Sequence, residues 1–288
     1  MLPAFMPKPC ISIVGPGRLG TSLARALSGA GYQVAEIVYR PGPSARAARA
    51  LAKELHAEAL AYPEQFAPVV FLCVGDSQLG AVSQELANWP WKGRVALHTS
   101  GALSSDILAL LREKGAAVAS VHPMMTFVRG ATTPLRGVSF ALEGDGKALR
   151  VARAIVRHLG GKSFVLKQSA KPLYHAFGAF TSPLLIATLA AGERVARKAG
   201  LSETQARAAL RPIVEQTLKN YLEQGTGGAF SGPLVRGDVV TIRKHLDALR
   251  ALPEVRAAYI ALVRCALGTL PVKNAGAVAA LLPRIAAP

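Results

Sequence analysis

The chain has 288 residues, enough for two domains with full cores. Hydrophobic residues make up 51% and charged ones 18%, and the mean hydropathy of +0.29 excludes a disordered polymer. The net charge of +17 invites a nucleic-acid partner, but Arg and Lys are scattered along helices without interleaved aromatics, so a basic solvated surface fits better and nucleic acid is not expected.

No apolar run reaches the ~18 residues of a membrane span, and no apolar signal segment follows Met1; a cytoplasmic protein without a membrane partner is expected. Cys10, Cys73 and Cys265 lie in apolar patterns with no Cys or His at metal-ligand spacing, so buried free thiols and no metal are expected.

The first element is an apolar β-branched strand, Ile11–Val14, that breaks into Gly15-Pro16-Gly17-Arg18-Leu19-Gly20 and a helix over 17–30. This is G-x-G-x-x-G in its required strand-to-helix setting. Gly15 permits the tight turn, Gly17 a close approach of a pyrophosphate, and Gly20 close helix packing, while the helix N-terminus offers free N–H groups. A strand over 34–39 and a helix over 44–55 follow. In an NAD site an acid ends this second strand. Here Val38-Tyr39-Arg40 ends it, and Glu36 lies in mid-strand. Arg40, with Arg18 and Ser44, reads as a clamp for a 2′-phosphate, or as a solvated loop residue; the missing acid favours the clamp and NADP as cofactor.

Further strands fall at 58–60, 69–74, 95–98, 117–121, 138–142 and 163–166, with helices at 78–87, 104–113 and 148–159. Strands alternating with helices predict an α/β Rossmann-type, doubly wound parallel sheet. Ligands bind at the carboxyl ends of such strands. Val74-Gly75-Asp76 stands at one end, with Asp76 expected to cap the next helix; His98 and Ser100 stand at a second, and His122 at a third. The histidines read as pocket-lining or as hydrogen-bonded structural residues.

From about Gln168 only helical patterns remain, at 172–199, 203–223, 239–249, 253–267 and 275–285. The expected domains are therefore 8–167, dinucleotide-binding, and 168–288, an all-α substrate or dimerisation domain. Lys171, His175, Gly178 and Ser182 fall at i, i+4, i+7 and i+11, one stripe of a helix. A buried Lys171 is suited to proton transfer; a Lys171 that snorkels from the first turn is the structural alternative. Between two helices, the Gly-rich segment 225–238 carries Asp238, a candidate N-cap, and Arg236, a candidate anchor for a substrate carboxylate.

Gly-Pro-Gly-Arg-Leu-Gly, His98-Thr-Ser-Gly-Ala-Leu-Ser, Ser120-Val-His-Pro-Met-Met-Thr-Phe, Lys171-Pro-Leu-Tyr-His-Ala and Ser231-Gly-Pro-Leu-Val-Arg-Gly-Asp together resemble the Rossmann-like oxidoreductases that carry a C-terminal domain of unknown function 2520. That family is similar in plan to 6-phosphogluconate and β-hydroxyacid dehydrogenases, ketopantoate reductase and pyrroline-5-carboxylate reductase. The resemblance implies an active site between the domains and a homodimer through the helical one. In β-hydroxyacid dehydrogenases a Lys opens the first helix of the second domain as acid/base, with an Asn one turn on; the matching pair is Lys171 and His175, and His in place of Asn puts a hydroxyacid substrate in doubt. The expected activity is hydride transfer between NADP(H) and a small, anionic carbonyl or hydroxy compound. Lys171 and His175 would be catalytic, and His98, His122, Ser182 and Arg236 would bind substrate. An imine or pyrroline-carboxylate-type reductase and a non-catalytic NADP-binding sensor or scaffold are the alternatives.

Overall fold

The computed structural model describes residues 8–42, 44–61, 65–128 and 130–283. The chain divides into two compact units, Met1–Thr181 and Ser182–Pro288. The expected boundary at 167/168 lies before α6 (Lys171–Thr181), which packs with the first unit: Lys171 and Tyr174 are its buried residues, and they reach the sheet.

The first unit alternates β1 (Ile11–Val14), α1 (Arg18–Gly29), β2 (Val34–Val38), α2 (Ala45–Leu55), β3 (Glu58–Leu60), β4 (Val69–Leu72), α3 (Asp76–Leu86) and β5 (Val95–His98). A 3-10 turn, Ser105–Leu108, leads into α4 (Ala109–Glu113), β6 (Ala117–Pro123), β7 (Ser139–Gly144), α5 (Gly146–His158), β8 (Lys162–Val165) and α6. The eight strands form one sheet in the order β3-β2-β1-β4-β5-β6-β7-β8. The parallel strands read as continuous apolar runs because both faces are covered. Leu23, Leu27, Leu51 and Ile155, from α1, α2 and α5, close one face. Leu79, Val82, Leu86 and Leu111, from α3 and α4, close the other together with Trp91.

The sheet is the expected doubly wound, mostly parallel one, with one antiparallel pairing. β1 to β6 are parallel, but β7 pairs antiparallel with β6 and carries β8 parallel to itself. No helix separates β6 from β7 among the described residues, so the chain has no crossover and returns beside the strand it has just left.

The second unit holds α7 (Pro183–Lys198), α8 (Glu203–Ala229), α9 (Pro233–Arg236), α10 (Val239–Ala248), α11 (Pro253–Thr269) and α12 (Ala275–Ala280). Its core joins Ile242 and Leu246 to Ile260, Val263 and Val278. Ser202 opens α8 with a capping box closed by Gln205, and Asp238 caps α10 by accepting from the Thr241 N–H at 3.0 Å, as expected. The expected helix over 172–199 is broken, since Ser182 leaves the helical region (φ −129°, ψ −84°) and Pro183 starts α7 without an N–H. The last expected helix, to Ile285, ends outside the described residues.

Two composition-based expectations change. The 31 residues Gln168–Lys198 have a mean hydropathy of 1.3 in their best 18-residue window, long and apolar enough to cross a membrane by those measures alone. A count of unbroken apolar residues stops at Thr181, Ser182 and Pro183, whereas the average runs through them. Cys265 is exposed, because α11 buries Val263 and Ala266 instead.

Candidate active site

The order of strands reverses between β1 and β4, whose carboxyl ends therefore splay helices to opposite faces and leave a crevice. A cleft of about 370 Å³ opens there, lined by Gly15, Gly17, Tyr39, Arg40, Ser44, Val74 and Gly75 among others. Its floor is the glycine turn. Gly15 has φ +88°, and a Cβ on it would meet Val74 Cγ1 at 2.6 Å. A Cβ on Gly20 would meet the Gly15 carbonyl oxygen at 2.3 Å, so the helix can lie this close to the strand only with glycine there. Gly17 is different: a Cβ there meets nothing within 4 Å, which leaves its exposed face open to the cleft. The first N–H groups of α1, from Arg18, Leu19 and Gly20, have no intrahelical acceptor, and a helix end of this kind could hold an anion. The Leu19 side chain itself packs against the core, so only its backbone N–H is left for such a role.

The one acid of the second strand, Glu36, stands in mid-strand and not at its end. Glu36 is occupied within the sheet by the Ser12 hydroxyl, which also accepts the Ala67 N–H at 2.9 Å. Tyr39 is buried and its hydroxyl accepts from Arg49 at 3.2 Å. Arg40 is exposed, and Ser44 occupies the α2 N-cap without a side-chain cap bond. Asp76 is not the cap of α3. Gly75 takes that place and Asp76 is the first helical residue, its carboxylate beside the helix's positive end.

A second cluster lies where β5 and β6 end. Lys171 is 1% exposed; its Nζ donates to Ser120 Oγ at 2.6 Å and to the Ser100 carbonyl at 3.3 Å, while Ser120 Oγ donates to the same carbonyl at 3.0 Å. Burial holds the Lys171 ammonium below the usual lysine range, opposed by the carboxylates of Glu143 and Asp76. His122 Nδ1 shares a 2.9 Å hydrogen bond with the Tyr174 hydroxyl, and the His175 ring lies edge-on to His122 with centroids 6.4 Å apart. Burial, then Lys171 and His175, push His122 down to about 4. Burial pushes Tyr174 up to about 12. Both are neutral near pH 7.

Several expected site residues have other work. His98 is fully buried: the Ser100 N–H donates to its Nδ1 at 3.2 Å, and its Nε2 lies 3.1 Å from the Ser104 carbonyl. Burial, then Lys171, push it to about 3, so it is a neutral strut of its loop and lines no opening. The Ser100 hydroxyl turns inward to accept from the Ala102 and Leu103 N–H groups. His175 is exposed and pairs with His122, not with Lys171, because the buried stripe of α6 runs through Tyr174 at i+3. Ser182 stands at the break before α7, and Arg236 is exposed at the end of α9; both belong to the second unit. Ser120 and Tyr174 were missed. Ser120 is the polar member of an alternating strand, and Tyr174 bears the one aromatic hydroxyl of α6, so both had a signal.

Comparison with known proteins agrees with this fold. Residues 6–123 match the model of a Rossmann-like domain, and residues 138–265 match a domain of unknown function, DUF2520. Comparison with curated protein sequences finds no match. Among solved structures, a Bacteroides fragilis protein assigned as an NADP oxidoreductase superposes with a TM-score of 0.73 at 20% identity, over 90% of this chain and 97% of its own. A Thermotoga maritima protein superposes with a TM-score of 0.69 at 25% identity, over 88% of this chain and 96% of its own. A reductive aminase from Aspergillus terreus, solved with NADPH4, cyclohexanone and allyl amine, gives a TM-score of 0.64 at 20% identity, over 96% of this chain and 98% of its own. The chain belongs to the proteins that join a Rossmann-like domain to the DUF2520 domain.

Proposed function

We propose that the protein is an NADP(H)-dependent oxidoreductase that moves a hydride between the nicotinamide and a small carbonyl or hydroxy compound. The observation that carries this reading is the glycine turn at the switch point, with an open Gly17 on one side and Arg40, but no free acid, at the end of β2. The likeness to the Bacteroides fragilis and Aspergillus terreus proteins supports it. When bound, the nicotinamide supplies the hydride. The chain's own part is to hold and orient. The N–H groups of Arg18, Leu19 and Gly20, with the loop at Val74 and Gly75, would take the pyrophosphate, and Arg40 with Ser44 the 2′-phosphate. Lys171 is the acid/base in this reading: its lowered pKa and its place beside Ser120 suit it to hold a proton near neutral pH. His122 lines the substrate side.

A second reading, an imine reductase, is favoured by the aminase likeness over nearly the whole chain. Cytoplasmic placement and a homodimer through the helical unit belong to the same proposal; exposed Ile186, Ile213 and Leu222 support the dimer, and sedimentation tests it. For the reaction, NADPH is titrated first, then consumed against panels of ketones and cyclic imines. Lys171→Ala should keep NADPH binding and lose turnover. Unchanged turnover sinks the acid/base role, and NADPH binding without turnover on any panel makes the protein a non-catalytic sensor.

A further inference from the structure

The mouth of the cleft carries an acid that the rule for the second strand does not anticipate. Glu85, on α3, faces Arg40 with Oε2 3.9 Å from Nη2. Both side chains are about half exposed, at 48% and 58%, and both line the cleft with Ser44, Val82 and Leu86. Glu36, the one carboxylate of β2, is bound to Ser12 and cannot serve there. Among the described residues that line it, the cleft thus holds one cation and one anion within reach of the same ligand position.

We propose that Glu85 is the specificity-determining residue for the adenosine ribose, accepting from the ribose hydroxyls of an unphosphorylated dinucleotide and competing for Arg40 with the 2′-phosphate of the phosphorylated one. This inference rests on the dinucleotide reading above and names how its selectivity is set. A half-exposed pair at this distance is weak, so a phosphate, which can engage a guanidinium through two hydrogen bonds, displaces Glu85 from Arg40. The displaced carboxylate stays in the cleft and repels the phosphate. The acid that ends the second strand in an NAD site therefore has its counterpart on the helix of the opposite face. The resulting preference for NADP(H) over NAD(H) is modest, and the charge at position 85 governs it.

The test is titration of NADPH and NADH into the full chain and into Glu85→Gln, followed by energy transfer from tryptophan to the nicotinamide. Glu85→Gln should tighten NADPH about three- to tenfold and weaken NADH, since removing one like charge helps the phosphate and removing the acceptor costs the ribose bond. In an Arg40→Ala background the NADPH gain should shrink, because the competition for Arg40 is gone and only the like-charge repulsion remains to be removed. An unchanged ratio of the two affinities, or equal changes in both, overturns the proposal. Failure of the unaltered protein to bind either nucleotide overturns the dinucleotide reading itself, a result separate from any change in the ratio.

Discussion

The ammonium of Lys171 lies 2.6 Å from the hydroxyl of Ser120, which in turn donates a hydrogen bond to the Ser100 carbonyl at 3.0 Å. Helix α6 is thereby tied to the ends of β5 and β6 by one buried cation. Removing Ser120 and removing Lys171 should have opposite profiles. Ser120→Ala leaves the ammonium with only the Ser100 carbonyl and should cost about 2 kcal/mol in denaturant unfolding. Lys171→Met fills the same space without charge, so its stability should stay within about 1 kcal/mol of the parent while turnover is lost. A Lys171→Met protein with normal turnover would show that the cation is structural.

The glycine turn gives two substitutions that separate folding from binding. Gly17→Ala meets open space, so melting should be nearly unchanged, yet the new methyl would stand where the pyrophosphate approaches and NADPH binding should fall at least about tenfold. Gly20→Ala drives a methyl into the Gly15 carbonyl and should cost about 2 kcal/mol or more of stability as well as binding. Equal binding by Gly17→Ala and the parent would remove the pyrophosphate from this site.

Arg40 can be read without any substrate. Arg40→Ala should weaken NADPH about tenfold and leave NADH within about twofold, because NADPH alone loses a phosphate partner and the exposed Glu85 pair that is also lost is weak. Direct titration of both nucleotides decides it, and an equal loss for both would place Arg40 outside the phosphate site.

Acid should unfold the first unit early. His98 and His122 stand at about 3 and about 4 when folded, against an ordinary 6.5. Below that ordinary value the unfolded chain binds protons that the folded one refuses, so stability is full above it and is lost as pH falls towards the folded values. Each histidine contributes a slope of up to about 1.4 kcal/mol per pH unit in that window. Melting temperature measured from pH 7 to 4 should drop steadily, and His122→Phe should flatten the part between about pH 6 and 4. A flat profile over that range would show that both rings protonate in place.

Much of the fold is legible in the sequence alone, because the decisive signals are local. The run from Ile11 to Gly20 states a strand, a turn and a helix start within a few residues, and the ending Tyr39-Arg40 states the missing acid. The direction of β7 is not local: it depends on what joins it to β6. The absence of helical periodicity between Met124 and Arg136 was the available clue. The site by β5 and β6 was half legible. Lys171 stood out by residue type, but its partners did not, since i+3 and i+4 both neighbour it on a helix and only packing against the sheet chose Tyr174 over His175. Pro183 was visible, and its neighbour Ser182 needed the helix break to be taken seriously.

The contact between Gly15 and Gly20 has a consequence for the kinetics of binding. The loop's shape is set by its own backbone and by Cys73 and Val74, all of them protein atoms. A dinucleotide entering the cleft meets a receptor that is already ordered, and no loop entropy is spent at that moment. Association should then be a single step whose observed rate rises linearly with nucleotide concentration, without the plateau that a slow closure of the loop would impose.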